Sequence, residues 1–152
     1  MKRKSTPLEY GNDYAYGCFE DIPIQNITLV TKFTPEDERA VLMKIFNRTN
    51  GRNWKNTTHW GNHSVSHCTW YGITCDDTNR YVVSIVLTKN NLIGTLPGNL
   101  WILRNLQCIA INHNNGLLGN INEILSANMT NLLRVDLAFN KLHGQIDRKS
   151  VV

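Results

Sequence analysis

The strongest pattern in the chain is a repeat of apolar and polar positions that begins at Val82 and recurs twice more. In each unit two apolar residues flank one variable residue, an asparagine follows three positions later, and a glycine follows after four or five more. The alternation predicts a short strand whose two apolar side chains point to one face. Because Gly94, Gly119 and Gly144 are spaced by 25 residues, we predict three stacked units that share one continuous core.

The asparagine of each unit stands where the chain leaves the predicted strand and turns. Its side chain can satisfy backbone groups that the bend leaves unpaired, so we assign it a structural role. These residues are Asn90, Asn114 and Asn140.

A helix is predicted over residues 35–48, ahead of the repeats. Thr34 is placed to cap it, Pro35 suits its first position, and the three acidic residues that follow favour the positive end of the helix dipole. Apolar residues at helical spacing predict one buried face. We expect the helix to end at Asn50-Gly51, with Gly51 in the left-handed conformation. The apolar face comprises Val41, Leu42, Ile45 and Phe46.

The segments on either side of this helix lack a regular period. Residues 52–81 are rich in tryptophan, asparagine, histidine and threonine, and we expect a compact loop region with little regular structure. Trp54, Trp60 and Trp70 can supply its buried area. The predicted organisation is an irregular lead-in over 1–33, a cap over 34–81, about three repeats over 82–147 and a tail over 148–152.

Two motifs give the chain a specific family resemblance. Residues 94–97 read GTLP at the end of the first unit, and residues 68–75 read CTWYGITC ahead of the repeats. Together they resemble plant-type leucine-rich repeat proteins, such as receptor-like kinase ectodomains and polygalacturonase-inhibitor-like proteins. The resemblance implies an α/β fold, a short right-handed leucine-rich repeat solenoid with an N-terminal helical disulfide cap. It also implies that Cys68 and Cys75 are bridged and that the concave face binds a ligand.

The chain differs from this family in its length and at its ends. The six residues after Ile146 are too few to cover the open end of the core, so we expect a fragment, or a partner or missing repeats covering that end. Residues 1–4 are basic, but no apolar segment follows them as an export signal would require. Cys18 and Cys108 can pair if the lead-in folds back onto the sheet, and the sequence leaves their connectivity open.

The residues that alternate with the buried strand positions are expected to line the concave sheet. They form the candidate ligand-binding surface, and Phe139 is the most telling because a large exposed aromatic residue often anchors an interface. The ligand class stays open among protein, peptide and glycan. The candidates are Thr88, Lys89, Asn112, His113, Arg134, Asp136 and Phe139, with Ser84, Val86, Ala110 and Ala138 on the same expected face.

Composition and charge exclude several classes of function. Hydrophobic residues make up 41% of the chain and charged residues 18%, so we expect a folded core rather than disorder. The net charge is +4, but the basic residues are scattered and form no stripe suited to nucleic acid. Since no apolar run is long enough to span a bilayer, we also expect no direct membrane insertion.

The chemically active residues do not assemble into a recognisable catalytic or metal site. His59, His63 and His67 are spaced by four, which on a helix would form a zinc-binding face, but the glycine, asparagine and serines between them disfavour a helix. Adjacent acidic residues do not converge on one bond as a glycosidase pair must. We therefore predict that the chain is not an enzyme and uses no cofactor and no metal.

Five N-x-S/T sequons add weak support for export, because chance alone predicts about half as many. The leading interpretation is an extracellular recognition module without catalytic activity. The alternatives are the ectodomain of a signalling receptor, a secreted inhibitor of hydrolases, and an intracellular scaffold in the cytoplasm. Reduced Cys68 and Cys75 in material from the native source would favour the scaffold. The sequons are at Asn26, Asn47, Asn56, Asn62 and Asn128.

Overall fold

The computed structural model describes residues 33–144, and it confirms the predicted α/β solenoid. Three short 3₁₀ turns, Gly51–Asn53, His67–Thr69 and Leu100–Ile102, connect the regular elements. The helices are α1 (Pro35–Arg48) and α2 (Ile121–Ile124). The strands are β1 (Ile73–Cys75), β2 (Val82–Val86), β3 (Ile93–Thr95), β4 (Cys108–Ala110), β5 (Gly116–Asn120), β6 (Arg134–Asp136) and β7 (Lys141–His143).

Helix α1 has the predicted bounds, but it ends differently from the expectation. At its start Asp37 N donates to Thr34 Oγ1 at 3.1 Å, and Thr34 N donates to Asp37 Oδ2 at 2.8 Å, which is a reciprocal capping box. The prediction that Gly51 is left-handed is wrong, because Asn50 takes that conformation with a φ of 59°. Gly51 instead provides space, since a Cβ there would lie 2.2 Å from Cδ1 of Phe46.

One strand from each predicted unit joins the main sheet, whose order is β1-β2-β4-β6. Strands β2, β4 and β6 run parallel, and their register places Ser84, Cys108 and Arg134 side by side. Strand β1 pairs antiparallel with β2 and extends the sheet into the cap. Residues 52–81 have little regular structure, as expected, and β1 is the one strand among them. A strand of three residues shows no alternation in the sequence and exists because β2 offers it an edge.

A second sheet, which we did not predict from the sequence, has the order β3-β5-β7 and lies where each unit turns back. The repeated glycines belong to this region and have positive φ angles, 129° at Gly94 and 128° at Gly119. A Cβ at Gly94 would lie 2.1 Å from the carbonyl oxygen of Arg48. This glycine therefore lets the first unit approach the end of α1 closely.

A continuous apolar core runs from α1 through all three units. In the cap it is built from aromatic rings: the centroids of Trp54 and Trp60 are 4.8 Å apart, and those of Trp60 and Trp70 are 5.0 Å apart. Phe46 stacks on Trp60 at 5.8 Å. All three tryptophans are buried, and Trp54 Nε1 donates to the carbonyl oxygen of Thr49 at 3.1 Å. The aromatic rings thus join the loop segment to the helix.

Several predictions fall on residues 1–32 and 145–152, which lie outside the described residues, as do Cys18 and Asn26. The boundaries of the lead-in, cap, repeats and tail remain predictions. Among the helices of residues 33–144, none is both long enough and apolar enough to cross a membrane.

Candidate ligand-binding site

The repeated asparagines hold the backbone just beyond the strands of the main sheet. Asn114 is fully buried, and its Oδ1 accepts hydrogen bonds from the backbone N–H groups of Asn90 at 2.9 Å and Leu92 at 3.0 Å. Its Nδ2 donates to the carbonyl oxygens of Leu87 and Ile111, each at 3.0 Å. One side chain therefore satisfies backbone groups in two neighbouring units.

A hydrogen bond from a backbone N–H to an asparagine side-chain oxygen also occurs on both sides of Asn114, and these bonds together form a ladder. Asn114 N donates to Asn140 Oδ1 at 2.6 Å, and Asn56 N donates to Asn90 Oδ1 at 2.8 Å. Asn140 Nδ2 also donates to the carbonyl oxygen of Ile111 at 2.8 Å. The ladder extends from the cap to the third unit and fixes the turn that follows each strand.

The residue before each ladder asparagine belongs to a row at the end of the main sheet. Lys89, His113 and Phe139 lie three residues beyond β2, β4 and β6, and all three are left-handed, with φ angles of 52°, 62° and 60°. Lys89 N donates to the carbonyl oxygen of Asn112, and His113 N donates to that of Ala138, each at 3.0 Å. We call Lys89, His113 and Phe139 the turn row.

Two side chains of the turn row, those of His113 and Phe139, form an accessible aromatic surface. Phe139 is 54% exposed, and its ring stacks on that of His113 with centroids 4.3 Å apart and planes inclined by 24°. Lys89 is exposed and His113 is half-buried. The other large exposed apolar residues within 33–144 are Ile93 and Leu118, and both lie on the second sheet.

The strand positions that we expected on an open concave surface are buried instead. Arg134 and Asp136 are each 4% exposed, Ser84 is 1% exposed and Asn112 is fully buried. Thr88 is half-buried and donates from its hydroxyl to Asn112 Oδ1. The expectation of an open surface is therefore wrong at these positions, because alternation along a strand assigns a face without showing what lies over it. Their role in ligand binding stays a prediction.

The cysteines of the described region are all in disulfides. Cys68 and Cys75 are bridged, as the resemblance implied, with their Cα atoms 5.5 Å apart. Cys108 is also disulfide-bonded. It lies on β4 beside the buried strand positions, whereas Cys18 lies outside the described residues.

Similarity to known proteins agrees with this architecture. Residues 35–76 match the family described as leucine rich repeat N-terminal domain. A probable leucine-rich repeat receptor-like protein kinase of Arabidopsis thaliana is 36% identical over 87 residues, 56% of this chain. The BIR2 ectodomain from Arabidopsis thaliana superposes with a TM-score of 0.62 at 25% identity, over 74% of this chain and 60% of that chain. The plant-type leucine-rich repeat resemblance is confirmed.

A further structural neighbour of this leucine-rich repeat chain was solved with its ligand. The Arabidopsis receptor kinase HAESA, in complex with the peptide hormone IDA and the co-receptor SERK1, superposes with a TM-score of 0.62 at 27% identity. The match covers 72% of this chain and 18% of that chain. The chain spans 8% of the length of the kinase relative that it matches.

The Cys68–Cys75 disulfide of the leucine-rich repeat cap gives a first testable prediction. We expect its replacement by two alanines to lower the free energy of unfolding by about 2 kcal/mol, because the bridge restricts the unfolded chain around a short loop. Chemical denaturation of the oxidised protein and of the double variant measures the difference. A double variant that unfolds at the same denaturant concentration as the parent would contradict the prediction.

One buried carboxyl in the leucine-rich repeat cap was missed in the sequence, where we assigned Glu38 to the helix dipole. Its side chain is 1% exposed and accepts a hydrogen bond from Val82 N at 2.7 Å, which ties α1 to β2. Burial raises the pKa of Glu38 to about 7; the Val82 bond opposes the rise, and the charges of Asp76 and Asp37 add to it. The available signal was its spacing, since position 38 continues the buried helical face of Val41.

The histidines of the cap do not form a metal site in this oxidised state. His67 is buried, and burial lowers its pKa, while His59 and His63 are exposed. Potential ligand atoms of His67, Cys68 and Cys75 lie within 4.8 Å of one another. Both sulfurs are in the disulfide, so neither is the thiolate that zinc requires.

Four of the five sequons of the leucine-rich repeat chain lie within the described residues. Asn47, Asn62 and Asn128 are exposed, and Asn56 is half-buried. Asn56 Oδ1 accepts hydrogen bonds from the backbone N–H of Thr58 at 3.0 Å and from its hydroxyl at 2.7 Å. Glycosylation at these positions stays a prediction.

Proposed function

We propose that the chain is the ligand-recognition part of an extracellular leucine-rich repeat receptor and that it binds a peptide at the turn row. The observation that carries the proposal is the exposed Phe139 ring stacked on His113 beyond the ends of parallel strands. Similarity to receptor ectodomains supports it, and one of them, HAESA, was solved with a peptide hormone. In this proposal the chain recognises its ligand and performs no chemistry.

The geometry of the turn row suits a short peptide. Its residues come from neighbouring strands of one sheet, so they recur about every 4.8 Å. The paired rings of His113 and Phe139 offer an apolar platform to a ligand side chain, and aromatic anchors of this kind often supply much of the binding energy. The backbone N–H groups of Lys89 and His113 are already hydrogen-bonded, so binding requires little ordering of the receptor at these positions.

The disulfide in the cap supports an extracellular location for this receptor. Disulfides persist in oxidising compartments and are rare in the cytosol. The Cys68–Cys75 bridge therefore disfavours the intracellular scaffold. The secreted inhibitor of hydrolases remains an alternative, but no feature of residues 33–144 favours it over the receptor.

The function is tested by replacing the aromatic anchor. We select peptides against the protein from a displayed library of random 12-residue sequences, and we measure binding of the best synthetic peptide by calorimetry. The Phe139→Ala variant is expected to bind at least about tenfold more weakly, a loss of about 1.4 kcal/mol. Its melting temperature should change by less than about 2 °C, because the ring is largely exposed and its removal leaves no cavity in the core.

A matched control comes from the second sheet. Leu118 is 47% exposed, comparable to Phe139, so Leu118→Ala removes similar exposed apolar surface away from the turn row. Its peptide binding should match that of the parent. Equal losses in the two variants, or a library that enriches no peptide, would overturn the proposal, and so would glycan binding that depends on Phe139. A large fall in the melting temperature of Phe139→Ala would make Phe139 a core residue.

A further inference from the structure

Three potential metal ligands converge in the cap, where β1 ends beside a 3₁₀ turn. A ring nitrogen of His67 and the sulfurs of Cys68 and Cys75 lie within 4.8 Å of one another. The two sulfurs are bonded to each other, so they do not bind zinc while the protein is oxidised. Reduction would turn the same cluster into two thiols and one imidazole, which is a donor set that proteins use for zinc.

The histidine of this cluster is buried with one ring nitrogen unsatisfied. His67 is 4% exposed, and its Nε2 has no hydrogen-bond partner among the described residues. The edge of its ring faces that of Trp70, with centroids 6.4 Å apart. A buried polar atom without a partner lowers stability, and a metal ion bound through Nε2 would supply that partner.

Backbone hydrogen bonds hold the three ligands in place independently of the disulfide. His67 and Cys68 belong to the 3₁₀ turn, in which Cys68 N donates to Ser66 Oγ at 3.0 Å and Trp70 N donates to the carbonyl oxygen of His67 at 3.1 Å. Cys75 is the last residue of β1, which pairs with β2. Since none of these bonds involves a sulfur, we expect the ligands to stay close after reduction.

The Cys68–Cys75 bridge is accessible to a reductant. Cys68 and Cys75 are both half-buried, whereas Cys108 is 4% exposed. Mild reduction should therefore open this bridge before the disulfide of Cys108. The same partial exposure lets a water molecule complete the coordination, as a zinc ion with three protein ligands requires.

We propose that reduction of the Cys68–Cys75 disulfide converts this part of the cap into a zinc site with His67, Cys68 and Cys75 as ligands. A dithiol supplies the two electrons and two protons that turn the bridge into two thiols, and the dithiol itself becomes a disulfide. Zn²⁺ then binds both sulfurs as thiolates, which releases two protons, and the neutral imidazole donates a nitrogen lone pair. The cap is thus closed by a covalent bridge when oxidised and by the metal when reduced.

The site is tested with Co²⁺, which accepts the ligands of zinc and absorbs light when thiolates bind it. The bridge of the full chain is opened with dithiothreitol, which is then removed without air, and peptide mapping of residues 56–80 verifies that both thiols are free. The reduced protein should bind a single Co²⁺ with a thiolate charge-transfer band. Zn²⁺ should displace it with a Kd below about 1 μM, and the oxidised protein should show no such band.

Three variants assign the ligands. His67→Ala should bind Zn²⁺ at least about tenfold more weakly than the reduced parent, because even a change outside the ligand set costs that much. His63→Ala removes an exposed histidine four residues away and should bind Zn²⁺ like the parent. The Cys68→Ala, Cys75→Ala double variant should show no thiolate band, although it retains Cys18 and Cys108.

Thermal unfolding keeps the test decisive if reduction loosens the cap. Zn²⁺ should raise the melting temperature of the reduced parent by at least about 3 °C and leave the oxidised parent and the double variant unchanged. A reduced parent without a thiolate band, whether folded or unfolded, would overturn the proposal. A band that persists in the double variant would do the same, and equal Zn²⁺ affinity of His67→Ala and the parent would remove His67 from the site.

Discussion

Replacing Asn114 with leucine is expected to lower the free energy of unfolding by about 4 kcal/mol. Leucine has a similar size but removes the acceptor for two backbone N–H groups and the donor to two carbonyl groups. Each buried polar group left without a partner costs at least about 1 kcal/mol. Because domains are commonly stable by only 5–15 kcal/mol, roughly, this single change brings the solenoid close to unfolding. Urea denaturation followed by circular dichroism measures the loss.

The neighbouring residue provides the control for this prediction. Asn115 is exposed, so Asn115→Leu makes the same chemical change one position along the chain without touching the ladder. We expect its unfolding midpoint to stay close to that of the parent. If the two variants lost the same stability, the ladder would contribute nothing beyond an ordinary surface asparagine.

Acidification should stabilise the protein through Glu38 by about 3 kcal/mol. The pKa of this carboxyl is raised from 4.5 to about 7 in the folded protein, so between these values the folded state keeps a proton that the unfolded state has lost. Its stabilising contribution is therefore full below pH 4.5 and is lost as the pH rises through about 7. The free energy of unfolding, measured in urea from pH 4.5 to pH 8, reports this loss.

The Glu38→Gln variant isolates the contribution of this one group. An amide has no charge to bury, and its oxygen can still accept from Val82 N. The variant should be more stable than the parent above pH 7, and the difference should vanish towards pH 4.5. His67, whose lowered pKa gives the opposite pH dependence below 6.5, is common to both proteins and cancels. A stability difference that does not vary with pH would show that Glu38 does not carry the effect.

The solenoid was predictable because three units repeat the same apolar spacing, which only a stacked core explains. The second sheet and β1 were not predictable. Their strands are mostly three residues long, too short for a visible alternation, and they form by pairing with neighbours that are distant in sequence. The left-handed position after α1 was assigned to Gly51 instead of Asn50, because both residue types suit that conformation and the sequence does not distinguish them.

The candidate site was only partly predictable from the sequence. Lys89, His113 and Phe139 were expected among the outward residues of the strands, whereas the structure places them three residues beyond the strand ends. Arg134 and Asp136 were expected to be open to solvent, but both are buried, and the alternation of residues along a strand does not reveal burial. Glu38 was misjudged because a carboxyl in the first turn of a helix usually faces solvent; its spacing indicated the buried helix face, but not its hydrogen bond with Val82 N.

The backbone at Lys89 and His113 is held by main-chain bonds, and the asparagine after each of them is bonded to the ladder; these contacts do not depend on which side chains the two positions carry. In the proposed function, folding and recognition are therefore encoded in adjacent but separate residues. A lineage carrying this solenoid can change the side chains of the turn row by single substitutions while the fold stays constant. Diversity among related chains should accordingly concentrate at positions 89, 113 and 139, next to asparagines that hardly vary.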